Sequence, residues 1–450
     1  MSNRAPNWGI EPVPNRLRVL GLYDTTLLWT NFGVSLLVLA AGTQVVQGLT
    51  LRSALLAVLI GGVIGNAMLA FASLIGAQGR VPGMVLLRAP LGERGSYFAT
   101  ALNVIQNVGW AIFELIVIAT VASALADRVF HFQARWFWTL LFGAATTAFA
   151  LLGPISVVRT WIRRFAFWAV LGSLGWLSIW AIHGIELSST LAQRGAGDYR
   201  FWQAIDLTIA MPVSWLPLIA DYSRFSRSSR SAFWGGGVGY FIPNVLLYSL
   251  GALLALTHGL DGSQDSAVRV LLLLAGGSIA SALALLALTV DEIDEPFANI
   301  YSAAISLQNA LPRAPQRLLV LLVGAGSTLG ALVIDFGQYP LFLFLLGSFF
   351  VPLFGVLAAD WLVRRGYTRS DIFDAPAFRP AQLTAWLAGF CLYQWLLPTG
   401  PEWWTDLVAR THPPDIAVGA SLPAFALAFS LALSASLIGR RREAFAAAAN

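Results

Sequence analysis

The sequence predicts an all-α integral membrane protein with twelve transmembrane helices. Hydrophobic residues make up 57% of the 450-residue chain and charged residues only 11%, whereas soluble domains carry roughly 25% charged residues. The apolar runs are about 20 residues long, which is the length that a helix needs to cross the ~30 Å hydrocarbon core of a bilayer. Transmembrane strands would instead give alternating segments of about ten residues. The lipid bilayer is therefore the first partner that the sequence predicts.

Twelve apolar segments set the expected spans. The first and sixth are interrupted by Gly or Pro, the third and eighth are long, and a short interfacial helix is expected at 82–94. The first 20 residues are polar and Pro-rich, so we expect no cleavable signal peptide. The expected spans are 25–47, 51–76, 96–125, 136–153, 161–183, 203–221, 233–257, 277–310, 317–334, 341–363, 381–398 and 417–438.

The arginines predict the orientation of these spans. With the N-terminus in the cytoplasm, 21 of the 28 basic residues fall on the cytoplasmic side and seven on the other side. This asymmetry follows the positive-inside rule, so we expect a multi-pass protein of the cell (inner) membrane with both termini in the cytoplasm. The net charge of +5 is then a consequence of topology, and no nucleic-acid partner is expected.

A cluster of acidic residues lies within the eighth span, in the stretch DEIDEPFANIYS at 291–302. If this stretch were a loop, the Arg-rich segment 364–379 would lie outside the cell, against the positive-inside rule. We therefore expect 277–310 to be one tilted helix of about 51 Å. Asp291 and Glu292 either face the interior or reach the outer, wetter part of this helix. Asp294 and Glu295 are expected inside, where a carboxyl group must face a cavity or a partner or be protonated.

Proline adds a further feature to that helix. Pro296 has no backbone N–H, so it should free the carbonyl of Glu292. A free carbonyl beside carboxylates is a plausible ligand set for a hard cation such as Na⁺. The single Cys391 and the four scattered His residues exclude a disulfide framework and disfavour a cysteine or histidine metal site.

The third span carries a second polar group of residues. Gln106, Trp110 and Glu114 are spaced by four, which places them on one face of a helix. A flat aromatic surface one turn from a hydrogen-bonding side chain suits a small, flat, polar heterocycle. The alternative is that Trp110 serves only in packing.

The sixth span contains a predicted break. Pro212 and Pro217 bracket Val213, Ser214 and Trp215, and two prolines this close remove N–H donors from the middle of a helix. Non-helical backbone at membrane depth is tolerated where it lines protein or a cavity. A weaker signal of the same kind occurs in the first span, which holds Gly33 and Ser35; a kinked packing helix is the alternative in the sixth.

The interruptions recur at matching places in two sets of five spans. The sixth span corresponds to the first, and the long acidic eighth span corresponds to the long third span. Because five is odd, the second set is inverted relative to the first, as in inverted-repeat transporters with a site near the bilayer midplane. The expected organisation is an N-terminal segment at 1–22, repeats at 23–183 and 184–366, two further helices at 367–438 and a tail at 439–450.

Several motifs together resemble the nucleobase–cation symporter-1 family, which includes bacterial cytosine, hydantoin, allantoin and uracil permeases. The resemblance covers about residues 11–380 and implies a leucine-transporter-type fold with two helices outside the core, a secondary transporter rather than an enzyme, and alternating access. The motifs are EPVPNR, LIGGVIGN, GAQGRVPGMVLLRAPLGERGSY, QNVGWAIFE, MPVSWLPLIADYSRFSR, ANIYSAAISLQN and PLFGVLAADWLVRRGY.

The family resemblance assigns roles to individual residues. It implies that Trp110 and Trp215 clamp a flat substrate, that Glu114 binds it where members often carry Gln, and that Asn299 binds it from the eighth span. Gln106 and Ser214 complete the expected substrate site.

The same resemblance implies a cation site at the broken first helix. Its expected residues are Asp294 and Glu295 with the backbone at Val34 and Leu37. The family's hydroxyl ligands fall near Ile293 and Asp294, so either Na⁺ or H⁺ fits as the coupling ion. No other cofactor is expected.

The form TVDEIDEPFANIYS together with Glu114 resembles the branch that carries hydroxymethylpyrimidine, a thiamine precursor. An amidine-like edge prefers a carboxylate, whereas Gln better fits hydantoin or uracil. We therefore expect import of an aminopyrimidine such as hydroxymethylpyrimidine or cytosine. We also expect the transporter to be a monomer. The alternatives are a transporter of hydantoin, allantoin, uracil or a purine, an amino-acid transporter or channel on the same fold, and an intramembrane enzyme with a metal at the acidic stretch.

Overall fold

The structure, a computed structural model, describes residues 9–153, 167–183, 185–259, 264–334, 339–412 and 418–449. Within these residues the regular structure is helical, and β-type pairing is limited to the isolated bridges Leu20–Ser226 and Thr50–Arg194. The predicted all-α class is confirmed. The start of the predicted fifth span, 161–166, lies outside the described residues.

The described helices follow the predicted spans closely, with short extra helices between them. The first half of the chain contains α1 Leu22–Gly33, α2 Leu36–Val45, α3 Leu51–Gly79, α4 Gly83–Leu86, α5 Arg88–Leu91, α6 Gly95–Phe130, α7 Arg135–Leu152, α8 Phe167–Ile182 and α9 Leu187–Ala192. The second half contains α10 Phe201–Ser214, α11 Ile219–Ser223, α12 Ser229–Thr257, α13 Gln264–Gly276, α14 Ile279–Asp291, α15 Asp294–Ala310, α16 Gln316–Val333, α17 Tyr339–Arg364, α18 Arg369–Phe373, α19 Pro380–Leu396, α20 Glu402–Ala409 and α21 Ser421–Ala449.

Length and hydropathy identify membrane spans among these helices. Seven described helices are long and apolar enough to cross a bilayer, and the bent pair α1–α2 brings the number to eight. The other four predicted spans coincide with shorter or divided helices, namely α8, α10–α11, α14–α15 and α19. The described part of the chain is therefore consistent with twelve spans. Helix α13 was not predicted.

The first span breaks where Gly33 and Ser35 predicted it. Helices α1 and α2 meet at 57°, and Ser35 starts α2 by accepting a hydrogen bond from the backbone N–H of Leu37 at 3.1 Å. A Cβ at Gly33 would lie 2.6 Å from Cγ of Pro243 and 2.9 Å from the carbonyl oxygen of Tyr240. Glycine is therefore required because α12 packs directly against the end of α1.

The sixth span also breaks as predicted. Pro212 is tolerated within the last turn of α10, and the helix ends at Ser214. Because Pro217 cannot donate to the carbonyl of Val213, that carbonyl accepts instead from Leu216 N, at 3.0 Å. The chain resumes as α11 at Ile219. Trp215 lies in the break, as the sequence indicated.

The prediction of one continuous helix over 277–310 is wrong. Helix α14 ends at Asp291 and α15 begins at Asp294. Pro296 leaves the carbonyl of Glu292 without its usual partner, but that carbonyl accepts from Glu295 N at 3.2 Å, so it is not free as expected. Asp291 and Glu292 are each 1% exposed, which excludes the wetter, outer position for both of them.

The predicted interfacial helix at 82–94 is also wrong. Two short helices, α4 and α5, occupy this region, and all of their residues are buried. Arg88, 6% exposed, donates to the side-chain and main-chain oxygens of Asn309 at 2.7 and 2.8 Å. These bonds satisfy the buried guanidinium and hold α5 against the end of α15.

The helices form two packed groups that face each other. In the first group, α3 and α12 pack together and against α10 and α1. In the second group, α6, α7, α15 and α16 pack on one another. Helix α21 packs on α17 and α19 at the side. Hydrogen bonds join the two groups at the breaks: Asn31 of α1 donates to Asp291 at the end of α14, and Gln106 of α6 donates to the carbonyl of Ser214 at the end of α10.

Candidate substrate-binding site

A cavity lies between the two groups, at the point where the broken helices meet the long ones. Helices α6 and α15 supply one wall, and the breaks of the first and sixth spans supply the other. Both walls contain polar groups surrounded by aromatic and aliphatic side chains, which is typical of small-molecule sites. The cavity is lined by Ser35, Val38, Trp110, Glu114, Met211, Ser214, Trp215, Leu218, Tyr240, Glu295 and Asn299.

The two predicted clamp residues both line this cavity from opposite walls. Trp110 belongs to α6 and meets the rings of Tyr339 and Phe342 edge-on, at centroid distances of 6.0 and 5.3 Å. Trp215 lies in the break after α10 and stacks on Phe32, with centroids 5.0 Å apart and an interplanar angle of 14°. Its indole N–H donates to the hydroxyl of Tyr240 at 3.0 Å. These contacts fix the orientation of both indoles, each 5% exposed.

Glu114 and Asn299 form the polar centre of the site. The amide nitrogen of Asn299 donates to Oε1 and Oε2 of Glu114 at 2.8 and 3.1 Å, and to the backbone carbonyl of Glu295 at 3.2 Å. Glu114 is fully buried, so this charge-assisted pairing offsets part of its cost of leaving water. The two residues predicted to bind substrate are therefore hydrogen-bonded to each other.

Glu295, predicted as a cation ligand, lines the substrate cavity. Its side chain is 4% exposed, and its backbone carbonyl accepts at 3.2 Å from the amide of Asn299, which also donates to Glu114. Its Oε1 atom is buried and has no hydrogen-bond partner in the described part of the protein. Glu295 is thus a second carboxyl group at the place where substrate would bind.

Of the two further residues predicted to bind substrate, Ser214 lines the cavity and Gln106 does not. Ser214 lines the cavity, and its hydroxyl donates to the carbonyl of Met211 at 2.7 Å. Gln106 is absent from the cavity wall as described; its amide nitrogen donates to the carbonyl of Ser214 at 3.0 Å and to Oδ1 of Asn103 at 2.7 Å. The carbonyl of Ser214 is exposed to such a donor because α10 ends there. Gln106 therefore links α6 to the break.

Glu292 occupies the start of α2. Its carboxylate accepts from Leu36 N at 3.0 and 3.1 Å and from the hydroxyl of Ser35 at 2.8 Å. The first N–H groups of a helix have no partner within the helix, and the helix dipole favours an anion at this end. The break in the first span and the acid in the eighth span therefore complement each other.

Asp291 and Asp294 share one amide donor from α1. The amide nitrogen of Asn31 lies 2.6 Å from Oδ2 of Asp294 and 3.1 and 3.3 Å from the two oxygens of Asp291. Oδ1 of Asn31 and Oδ1 of Asp294 are buried without partners among the described residues. Neither acid lines the cavity described above.

The expected cation residues are consequently divided between two places. Glu295 lies in the substrate cavity and Asp294 lies beside Asn31. Val34 is the capping residue that follows α1, and the carbonyl of Leu37 accepts from the hydroxyl of Tyr339 at 3.0 Å. In the described ranges, no group of three or more His, Cys, Asp or Glu side chains is arranged to hold a metal ion.

Sequence reasoning missed several residues of the site. Asn31 carried a usable signal, because it is a polar residue one turn before the break in an apolar span. The aliphatic and aromatic residues carried none, because such side chains in a membrane span are normally assigned to packing. The missed residues of the cavity wall are Ser35, Val38, Met211, Leu218 and Tyr240.

Sequence comparisons agree with this architecture. A family profile described as permease for cytosine/purines, uracil, thiamine, allantoin matches residues 12–375. The cytosine permeases of Escherichia coli strains K12 and O157:H7 are similar to the chain. The K12 permease is 25% identical over 375 residues, which cover 80% of this chain and 82% of the permease. The O157:H7 permease has the same identity and coverage.

Structural comparisons give the same fold. One similar structure is that of Mhp1, a nucleobase-cation-symport-1 family transporter, in a closed conformation with bromovinylhydantoin bound. It superposes with a TM-score of 0.75 and 18% sequence identity, and the match covers 97% of this chain and 95% of Mhp1. Inward-facing Mhp1 gives a TM-score of 0.74, at 17% identity and covering 96% and 94%. A Na⁺-coupled sialic acid symporter gives 0.61, at 13% identity and covering 93% and 89%.

These likenesses confirm the fold class predicted from the sequence. The relatives are permeases, so the chain is a helical membrane transporter and not an enzyme. The family profile covers most of the chain, including every residue of the cavity wall. The chain belongs to the nucleobase–cation symporter-1 family, the permeases for cytosine and purines, uracil, thiamine and allantoin.

Proposed function

We propose that this nucleobase transporter imports an aminopyrimidine, such as cytosine or hydroxymethylpyrimidine, by cation symport. The observation that carries this proposal is the Glu114–Asn299 pair in the cavity that the indoles of Trp110 and Trp215 also line. The indoles offer stacking surfaces for a flat ring. The carboxylate of Glu114 accepts hydrogen bonds, and an aminopyrimidine presents an exocyclic amine that donates them. The substrate amine would replace the amide of Asn299 at one carboxylate oxygen.

Imides such as uracil and hydantoin are the second candidate substrates, because hydantoin binding is what the Mhp1 complex describes. An imide edge presents a carbonyl beside its N–H. A carboxylate opposite that edge accepts a hydrogen bond from the N–H, but its second oxygen faces the carbonyl oxygen and is repelled by it. A Gln amide would pair with both groups, because it has one donor and one acceptor. Glu114 therefore favours the amino base over the imide.

An amino-acid substrate is disfavoured by the first break. A broken helix binds an amino-acid carboxylate through the free N–H groups at its N-terminus. In this chain the N–H of Leu36 and the hydroxyl of Ser35 already donate to Glu292. The protein's own carboxylate thus takes the place at which a substrate carboxylate would bind.

Alternating access requires the contacts that join the two helix groups to separate. Tyr222, at the end of α11, donates its hydroxyl to the carbonyl of Ala298 at 3.1 Å. Arg224 donates to the hydroxyl of Tyr301 at 2.9 Å and to the carbonyl of Gly9 at 2.9 Å. We assign this side to the cytoplasm, in line with the arginine asymmetry, so these bonds would break when the base is released inward.

The remaining predictions become part of this proposal. We propose that 23–183 and 184–366 form the inverted repeats, that 367–438 adds two peripheral helices, and that a monomer suffices because one chain supplies the whole cavity wall. The coupling ion is Na⁺ or H⁺. The carboxyl groups of Asp294 and Glu295 and the backbone at Val34 and Leu37 are the candidate cation groups.

A thermal-shift screen of the purified transporter tests the proposal. Ligands that bind the folded state raise the unfolding temperature by mass action. We expect stabilisation by cytosine and hydroxymethylpyrimidine, weaker stabilisation by uracil and hydantoin, and none by amino acids. Stabilisation by amino acids alone would contradict the proposal. Repeating the screen with and without Na⁺ shows whether Na⁺ binding is linked to the base.

A further inference from the structure

A polar pocket, separate from the substrate cavity, opens where the ends of three long helices meet. The end of α17, the start of α19 and the end of α21 form most of its wall, and α18 with the loop before it supplies the rest. Its volume is about 290 Å³. Part of the wall lies beyond residue 375, where the match to the family profile ends. We assign this side to the cytoplasm, in line with the arginine asymmetry.

The pocket wall carries more positive than negative charge. Arg364 donates to Asp360 at 3.0 Å and to Asp371 at 2.9 Å, so its guanidinium lies between the two carboxylates. Arg379 and Arg440 also line the pocket, and three guanidinium groups against two carboxylates leave the wall with a net charge of +1. The wall therefore suits a ligand that carries one negative charge.

The two carboxylates are already engaged by groups of the protein. Asp360 is buried and accepts from the hydroxyl of Tyr367 at 3.1 Å and from that of Ser436 at 2.8 Å. Asp371 accepts from the backbone N–H of Thr368 at 2.8 Å and from its hydroxyl at 2.6 Å, at the start of α18. The wall therefore offers its arginines to an anion and not its aspartates to a cation.

Two side chains of the wall have buried polar atoms without partners. Nε of Arg379 has no acceptor and Oε1 of Gln382 has no donor in the part of the chain that the structure describes. Gln382 is 4% exposed, and its amide nitrogen donates to the hydroxyl of Ser436 at 2.7 Å and to the carbonyl of Ala432 at 3.2 Å. Buried polar atoms normally have partners. A ligand with an acceptor for Arg379 and a donor for Gln382 would supply both.

A phosphodiester with a hydroxyl group beside it has this chemistry. Its oxygens accept hydrogen bonds from guanidinium groups, which match phosphate geometry with two parallel N–H donors. The hydroxyl group can donate to the oxygen of a Gln amide. The headgroup of phosphatidylglycerol has both parts and a single negative charge. Basic pockets between membrane helices on the cytoplasmic side are typical sites for anionic lipid headgroups.

Apolar side chains beside the pocket suit the acyl chains of a lipid. Leu437 and Ile438 of α21 lie between two residues of the wall, Ser436 and Gly439, and both are exposed. Leu362 of α17 is also exposed, next to the wall residue Val363. Most of the membrane-spanning part of α21 is not buried inside the protein. Acyl chains would cover this apolar surface, whereas a soluble phosphate would not.

We propose that this pocket binds the phosphate of a membrane phospholipid whose anionic headgroup carries hydroxyl groups. Arg379 and Arg440 contact the phosphate oxygens, and Oε1 of Gln382 accepts from a headgroup hydroxyl. The bound lipid joins α17 to α19 and α21. This site is independent of the base that the transporter carries, so it can be absent while the proposed function holds, and the reverse.

Native mass spectrometry of the purified transporter with added phosphatidylglycerol tests the site. We expect one lipid to bind more tightly than any other. Arg379→Gln should raise the Kd of that lipid about tenfold, because a hydrogen bond between charged groups is lost. Arg441→Gln removes the same charge from an exposed position outside the wall and should bind the lipid like wild type. An equal loss in both variants, or none in Arg379→Gln, would overturn the inference.

A steric variant tests the pocket without changing its charge. Gly439 lines the wall, and a Cβ there would meet no atom within 4 Å. Gly439→Leu should therefore fill part of the pocket and lose the tightly bound lipid, and it should keep the fold because leucine favours a helix more than glycine. Gly326→Leu, at a helical glycine with equally open space, is the matched control. Wild-type lipid affinity in Gly439→Leu would overturn the inference.

A thermal-shift series identifies the source of the phosphate. Phosphatidylglycerol should raise the unfolding temperature of wild type by mass action, and this shift should be smaller in Arg379→Gln. Phosphatidylcholine, whose headgroup has no hydrogen-bond donor for Gln382, should stabilise less. Inorganic phosphate and glycerol phosphate should have no effect. Stabilisation by the soluble phosphates without any by phosphatidylglycerol, or equal stabilisation by the two lipids, would overturn the proposal.

Discussion

Asn299 donates its amide to both carboxylate oxygens of Glu114, at 2.8 and 3.1 Å, and thereby joins α15 to α6 across the substrate cavity. A hydrogen bond to a buried charged group contributes about 1.5–3 kcal/mol. This amide therefore orients Glu114 and remains beside any ring that binds there.

Removal of that amide should weaken substrate binding. In Asn299→Ala the carboxylate of Glu114 loses its donor and its fixed orientation, so we expect the Kd for cytosine to rise about tenfold or more, by radioligand binding. Asn299→Ser keeps a small donor and should lose less. Equal affinities of wild type and Asn299→Ala would show that this residue does not orient Glu114 for binding.

The indole of Trp110 should contribute through stacking. Replacing an aromatic platform by alanine costs about 1–3 kcal/mol per stacked base, so Trp110→Ala should raise the Kd for cytosine between about fivefold and a hundredfold. Trp110→Phe should retain most of the affinity. Trp403→Ala, which removes an indole that is 68% exposed, is the matched control. A similar loss in both alanine variants would mean that Trp110 acts in general packing.

Glu292 should stabilise the broken first span without contacting substrate. Its carboxylate caps the N-terminus of α2 through Leu36 and Ser35, and loss of a helix cap costs about 0.5–2 kcal/mol. Glu292→Ala should therefore lower the unfolding temperature, and Glu292→Gln, which keeps one acceptor, should lower it less. An unchanged melting temperature in Glu292→Ala would contradict the capping role.

Asp206 should anchor the peripheral helix α21 to the transport core. Its carboxylate accepts from Ala420 N at 2.7 Å and from Ser421 N at 3.1 Å, and a Cβ on Gly419 would lie 2.7 Å from Oδ2. Asp206→Ala leaves these buried N–H groups without an acceptor, at a cost of about 1–3 kcal/mol. We expect a lower unfolding temperature and faster proteolysis after residue 412, measured by limited proteolysis. Proteolysis at the wild-type rate would count against the anchor.

The sequence could predict residues whose type and spacing already imply their role. The spacing by four placed Trp110 and Glu114 on one face of α6, and the prolines around Trp215 predicted the break; the structure brings all three to one cavity. These signals are local, because helix periodicity and the missing N–H of proline act within one or two turns.

The rest depends on contacts between distant segments. Glu292 accepts a hydrogen bond at the N-terminus of α2 from Leu36 N, a residue 256 positions away in the sequence. Gln106 lies on the same helix face as Trp110 and Glu114, as predicted, but it donates to the carbonyl of Ser214 and does not line the cavity. In the sequence, nothing distinguishes Tyr240 from an aromatic residue that serves only in packing. The structure shows that its hydroxyl accepts a hydrogen bond from the indole of Trp215. Such partners are set by how the two helix groups dock, which one sequence does not show.

The most direct test of the substrate assignment is equilibrium binding of cytosine and uracil to wild type and Glu114→Gln under identical conditions. If the Glu114 carboxylate selects the amino base, wild type should bind cytosine at least tenfold more tightly than uracil, a difference of about 1.4 kcal/mol. Glu114→Gln should lose or reverse that preference, because an amide satisfies an imide edge. Equal preference in both proteins, or tighter binding of uracil by wild type, would contradict the account.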